Sequence, residues 1–206
     1  MKIRDFSNVG KSNVLSSNAM VASSHPLASS VGLETLKSGG NAVDAAIAMN
    51  AVLCIAEPHM TGVGGDCFAM LSVDGSNNIK ALNGSGKSSE KADAADLRRR
   101  NISEISSEMP EAITIPGAVA GWCLLHKEHG YMSWKELFEP AINFAQKGVN
   151  IHERVAFDWA KNKQKLSFDP DTSKLFLKNG NAFEFMDNFK NENLSNTFKT
   201  IADEGS

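Results

Sequence analysis

Residues Ala42 to Ala56 read AVDAAIAMNAVLCIA, and this run restricts the fold more than any other segment. It predicts a helix with apolar side chains all around it, and such a helix is buried on every face. Other elements must therefore pack around it on all sides. Its limits are also written in the sequence. Asn41 is a good N-cap, and Asp44 falls three residues later, as in a capping box with Asp in place of Glu. Pro58 forbids continuation of the helix. Asp44 and Asn50 interrupt the run, and at about 15 residues it is too short to span a bilayer.

The rest of the chain can supply that packing. It has 206 residues, of which 42% are hydrophobic and 22% charged. That length suits one domain or at most two small ones. A chain of this size hides roughly 70% of its unfolded surface. The composition excludes a disordered tail, a collagen and a disulfide mini-protein. A formal net charge of −3 gives no electrostatic reason to bind nucleic acid. Three cysteines, none in a CxxC, favour a reducing compartment or free thiols. Met1 to Gly10 is not followed by an apolar run of roughly 7–15 residues, so no secretory signal is read. The expectation is a soluble, cytoplasmic protein with no membrane partner.

Met20 to Ser24 predicts a short strand. Pro26 opens a helix that ends at Gly39-Gly40, since proline suits a first turn and glycine a stop. After Thr61-Gly-Val-Gly-Gly-Asp66 comes a buried strand, then a turn over Asp74 to Asn78, and a returning strand over Ile79 to Leu82. Asn83-Gly-Ser-Gly86 reads as loop and Ala92 to Arg100 as a short polar helix. Ala112 to Pro116 predicts a strand, and Ala118 to His129 a helix stopped by Gly130. Ser133 caps the next helix, which Pro140 kinks or restarts and Gly148 ends. Another helix starts near His152, and Ser167 to Asn193 reads mostly as loop. The C-terminus looks cut: a helix over Leu194 to Glu204 stops at Gly205, and only Ser206 follows.

Several motifs fail on inspection. Gly10-Lys11-Ser12 resembles the end of a phosphate-binding loop, but position 5, where that motif needs glycine, is Asp5. Gly62, Gly64 and Gly65 fall short of a dinucleotide fingerprint, because position 67 is Cys67 and a strand follows. Cys123, His126 and His129 are three residues apart on a helix, a spacing that can touch a metal. The better reading makes Cys123 core and leaves the histidines near a helix C-terminus, where the dipole favours them. Cys54 reads as inert packing, and Cys67 lacks a cationic neighbour that would make it a thiolate. His25 and His59 are lone histidines beside prolines, read as structural. Arg98 to Arg100 reads as a solvated helix end. From the residues alone the reading stops at a soluble domain of mixed helix and strand, with no self-contained catalytic group.

Five segments together resemble the γ-glutamyltransferase (γ-glutamyltranspeptidase) family of N-terminal nucleophile hydrolases. They are Met20-Val-Ala-Ser-Ser-His-Pro-Leu-Ala-Ser-Ser, Gly39-Gly-Asn-Ala-Val-Asp-Ala-Ala-Ile-Ala, Glu57-Pro-His-Met-Thr-Gly-Val-Gly-Gly-Asp-Cys-Phe, Ile115-Pro-Gly-Ala-Val-Ala-Gly-Trp and Glu139-Pro-Ala-Ile. They occur in the family's order from about residue 18 onward. The resemblance implies an α+β fold, a four-layer αββα sandwich of which residues 1–206 form an incomplete N-terminal portion within the large subunit. It also implies a precursor that cuts itself. The new N-terminal threonine of the small subunit, expected downstream of Ser206, would be the nucleophile, with its own α-amino group as base. That group has an α-amino pKa of roughly 7.7–8, suited to neutral pH. The implied reaction cleaves γ-glutamyl, glutathione-type amide bonds through an acyl intermediate. No metal or organic cofactor is implied, and the expected partners are the amide substrate and the chain's own small subunit.

The family's large subunit usually supplies one arginine, just after the second hairpin strand, for the substrate's α-carboxylate. Aligning Ala81-Leu82 with that strand puts Ser85 at the arginine position. A charge-assisted hydrogen bond contributes about 1.5–3 kcal/mol, so its loss weakens binding roughly 10- to 150-fold. Lys87, two residues on, reaches the same pocket if the segment stays extended, but without arginine's bidentate fork. Lys87 as a solvated loop lysine is the equal alternative. Ser85 and Lys87 are thus the substrate-binding candidates, and no catalytic residue is assigned within the chain. Three readings stay open: the γ-glutamyl enzyme, a relative that acts on a different small amide, and a non-catalytic binding or scaffold unit.

Overall fold

A computed structural model of the chain describes residues 13–205. Gly10-Lys11-Ser12 therefore lies outside the described residues. Helix α1 (Pro26–Lys37) is capped by His25, whose ring Nδ1 accepts the Leu27 N–H at 3.2 Å. Helix α2 (Ala42–Ala56) carries the predicted capping box: Asn41 Oδ1 accepts from Val43 and Asp44, and Asp44 Oδ2 accepts the Asn41 N–H at 2.9 Å. An antiparallel hairpin follows, β1 (Cys67–Ser72) and β2 (Ile79–Gly84), in the register Cys67 to Gly84 and Ser72 to Ile79. After the short α3 (Ala94–Arg99) come α4 (Ala118–His129) and α5 (Trp134–Lys147). The remainder comprises β3 (Val149–Asn150), α6 (Glu153–Lys161), α7 (Lys163–Leu166), α8 (Pro170–Phe176), β4 (Asn188–Phe189) and α9 (Glu192–Glu204).

The apolar helix sits where its composition requires. It packs against α1, α4 and α5, and α5 in turn packs against α9. The first core gathers Val31, Ile47, Val52, Trp122, Phe138 and Phe198. Phe138 is fully buried, with the rings of Trp134 and Phe198 at 4.7 and 5.8 Å. A second core gathers Ile55, Ala145, Val149, Ile151, Val155, Trp159 and Phe189. The side chain of Asp44 is as buried as any apolar one, at 0% exposure. It holds the turn between α4 and α5 by accepting the Tyr131 and Met132 N–H groups.

Four expectations change. No strand forms over Met20 to Ser24; the segment instead lines a groove with Met49 and Leu53 of α2. Strand structure needs a neighbour to accept and donate along its length, and no ladder is offered here among the described residues. Ala112 to Pro116 is not a strand either. A single 3₁₀ turn, Pro110–Ala112, leads into it, and its one backbone tie to the hairpin end is Ile115 N–H to Lys87 O at 2.9 Å. Strand β1 is half-buried rather than buried. Its exposure alternates, with Phe68 at 68% and Met70 at 77%, because only the face toward α4 is covered. Finally, the polar stretch after Ser167 contains α8, started by Asp169 as N-cap and Pro170 at the first position.

Pro140 does not restart α5, which runs unbroken through it. The carbonyl that loses its partner belongs to Glu136, on the exposed side of the helix. Helix and strand are mixed, as expected. Among the described residues the strands form two separate two-stranded antiparallel sheets. Among the described residues no helix is long and apolar enough to cross a membrane.

Candidate functional site

The hairpin register places Asp66 and Ser85 at the same, open end, since Cys67 pairs with Gly84. That end is tied to two other segments. Gly65 O accepts the Gly117 and Ala118 N–H groups at 3.0 and 2.9 Å, fastening the loop to the start of α4. Asp66 Oδ1 accepts the Gly86 N–H at 2.8 Å and lies 3.4 Å from Thr114 Oγ1. Asn83 Oδ1 accepts the Ser85 N–H at 3.0 Å. Lys87 O takes the Ile115 N–H described above.

Glycine is required at this junction by close approach. A Cβ on Gly86 would fall 1.9 Å from Ile115 O, and one on Gly117 would fall 2.3 Å from Gly84 O. Three backbone segments meet without side chains between them, which leaves no room for a side chain at Gly86 or Gly117.

Along residues 84–87 exposure alternates. Gly84 and Gly86 are half-buried against the neighbouring segments, whereas Ser85 and Lys87 are exposed. The period-two pattern is that of an extended segment, so Ser85 and Lys87 share the outer face. Neither the Ser85 hydroxyl nor the Lys87 ammonium has a hydrogen-bond or ion-pair partner among the described residues. The structure thus brings the two sequence candidates together, on one face, beside a rigid junction. A free ammonium presented this way can take a carboxylate as a point charge.

Of the remaining titratable and nucleophilic groups, Cys67 stands at this hairpin end and the others lie elsewhere. Burial pushes the Cys54 thiol up to about 12, and it also raises Cys67. Both therefore stay protonated and poor as nucleophiles. Cys123 is half-buried, His126 Nε2 lies 2.8 Å from Met132 O, and His129 Nε2 lies 3.5 Å from Glu128. Among the described residues no group of three or more His, Cys, Asp or Glu is placed to hold a metal. Arg99 and Arg100 pair with Asp96 at the surface, and Arg100 also pairs with Glu111.

Two groupings were not read from the sequence. Asp66 as the tie to Gly86 is one; its place beside the first residue of β1 was the available signal. The other joins α1, α2 and α6. Ser24 Oγ donates to Glu57 Oε2, and the rings of His25 and His152 meet edge-on at 5.4 Å. Burial lowers the His25 pKa, with Glu57 opposing and His152 reinforcing the shift. Nearby, His59 Nε2 is 3.5 Å from Asp158 Oδ2, which also accepts from Arg154 Nε at 2.6 Å.

Comparison with known proteins shows what this chain is similar to. The family model described as gamma-glutamyltranspeptidase matches residues 28–206. The glutathione hydrolase-like YwrD proenzyme of Bacillus subtilis (strain 168) is 34% identical over 198 residues, which is 94% of this chain and 37% of that protein. The gamma-glutamyltranspeptidase of Helicobacter pylori superposes with a TM-score of 0.85 at 27% identity, over 93% of this chain and 56% of that one. The cephalosporin acylase from Bacillus halodurans gives a TM-score of 0.87 at 28% identity, over 98% of this chain and 39% of that one. The chain spans about a third of the length of the curated relatives it matches. The segments that converge on the hairpin end all lie within the matched range, and the chain belongs to the gamma-glutamyltranspeptidase family.

Proposed function

We propose that this chain is the N-terminal part of the large subunit of a γ-glutamyltransferase-like amidohydrolase. The observation that carries the reading is the family match from residue 28 to residue 206, within which Ser85 and Lys87 stand together on the exposed face of the hairpin end. The protein is made as a precursor and cuts itself. The threonine exposed by the cut, beyond Ser206, attacks the γ-glutamyl amide carbonyl. Its α-amino group takes the hydroxyl proton and passes it to the leaving amine. An oxyanion hole holds the tetrahedral species. Water or an amino acid then accepts the acyl group. The complete molecule is a four-layer αββα sandwich, in which later segments cover the face carrying Phe68 and Met70.

In this reading the chain's own contribution is substrate orientation. Lys87 holds the substrate's α-carboxylate, with Ser85 beside it as a neutral hydrogen-bonding group. Lysine supplies charge without the fork, so the grip is looser than an arginine's. That favours a second reading, a relative turning over a different small amide, which the likeness to a cephalosporin acylase also supports. The two are separated by assaying protein expressed from the complete reading frame on L-γ-glutamyl-4-nitroanilide. Turnover, together with an intact mass showing two fragments of which the second begins with threonine, supports the γ-glutamyl enzyme. Two fragments without turnover support the other amide. A single uncut chain overturns both and leaves a binding or scaffold unit.

A further inference from the structure

We propose that Asp66 is a positioning residue that sets substrate affinity through Lys87. The inference rests on the reading of the Ser85–Lys87 edge as the carboxylate contact. Asp66 stands immediately before β1, opposite Ser85 across the open hairpin end. From there its Oδ1 reaches one residue further and accepts the Gly86 N–H at 2.8 Å, while Thr114 Oγ1 approaches the same oxygen at 3.4 Å. Gly86 is the residue between the two candidates, and it has no side chain with which to hold itself. The next backbone tie comes only at Lys87 O. Asp66 thus pins the centre of a three-residue stretch whose two outer side chains are exposed. Without it the Gly86 amide loses its acceptor, the glycine regains its freedom, and the Lys87 ammonium samples more directions. The cost falls on binding, because the oxygen of Asp66 is engaged by the Gly86 N–H and acts on substrate only through Lys87.

This role depends on an acceptor at one oxygen, not on charge. Asp66→Asn keeps an acceptor for Gly86 and removes the charge; Asp66→Ala removes both. The test uses both variants in protein expressed from the complete reading frame, with L-γ-glutamyl-4-nitroanilide as probe and amide hydrogen exchange of residues 84–88 as a second readout. For Asp66→Ala we expect KM to rise about tenfold with kcat nearly unchanged, and exchange at Gly86 to quicken. Asp66→Asn should restore both. In the double variant with Lys87→Ala, KM should be no higher than for Lys87→Ala alone, because both changes remove one contact. Independent, multiplying effects would overturn the proposal, and so would an Asp66→Asn protein as impaired as Asp66→Ala. If the unmutated protein does not turn over the anilide, the γ-glutamyl reading fails. The exchange rates then decide Asp66 by themselves: unchanged exchange in Asp66→Ala sinks the positioning role.

Discussion

Asp44 and Tyr131 are 87 residues apart in sequence, yet the Tyr131 N–H points at both oxygens of the buried Asp44 carboxylate, at 3.1 and 3.2 Å. The capping-box carboxylate of α2 is therefore also the anchor of the turn between α4 and α5. Asp44→Ala would strand the N–H groups of Asn41, Tyr131 and Met132. It should cost about 3 kcal/mol or more, read as a lower denaturant midpoint. Asp44→Asn, which keeps one acceptor oxygen, should lose less.

Lys87 is exposed and unpaired among the described residues, so removing it should leave the fold alone. Lys87→Ala should raise KM for a carboxylate-bearing anilide about tenfold or more, with kcat nearly constant. Lys87→Arg should bind at least as well as the unmutated protein. Steady-state kinetics on the processed enzyme check this, and an unchanged KM in the alanine variant would rule out the carboxylate contact.

The hairpin junction predicts a sharp contrast between two glycines. Gly86→Ala drives a methyl group onto Ile115 O and should cost about 1–3 kcal/mol. At Gly62 an added Cβ meets nothing within 4 Å. Gly62→Ala should therefore stay within about 0.5 kcal/mol of the parent. Thermal unfolding of the pair measures both.

The His25 ring accepts a hydrogen bond at Nδ1, so it caps α1 only while that nitrogen is unprotonated. Ser24, Glu57 and His152 surround it, and burial, the largest influence, lowers its pKa. Below the ordinary histidine value of about 6.5 the unfolded chain takes up a proton that the folded one resists. The stabilisation is complete above that value and is lost as pH falls toward the lowered folded pKa. His25→Asn keeps a capping side chain without titrating. Its melting temperature should fall less than the parent's between about pH 7.5 and pH 5.

How much of this was written in the sequence varies with how local the cause is. The bounds of α2 follow from Asn41, Asp44 and Pro58, and its burial from an apolar surface with no polar side. Gly130 and Gly148 likewise stop α4 and α5 where expected. The strand forecast at Met20 failed because pairing belongs to two segments, and no residue in Met20 to Ser24 reveals whether the second exists. At Ile115 the forecast read β-branched residues correctly, but one hydrogen bond to Lys87 does not make a ladder. Helix α8 was legible after all: Asp169-Pro170 is a cap followed by a first-turn proline, masked by the polar composition around it. Of the candidate edge, Ser85 and Lys87 came from the family resemblance and not from the residues alone. For Asp66 the sequence offered a turn or hydrogen-bonding role but not the partner, Gly86, which depends on the residues that the hairpin register sets opposite each other.

The two cores are not independent. Helix α2 gives Val52 to the first and Ile55 to the second, and α5 gives Phe138 to the first and Ala145 to the second. Neither core can come apart while both helices hold, and neither helix can hold once either core is lost. Heat should therefore melt the α6 region and the α1–α2 pair in a single cooperative step, with slowly exchanging amides in both reporting one common opening free energy. A destabilising change at Trp159 would then loosen Val31 as well, although the two residues belong to different cores.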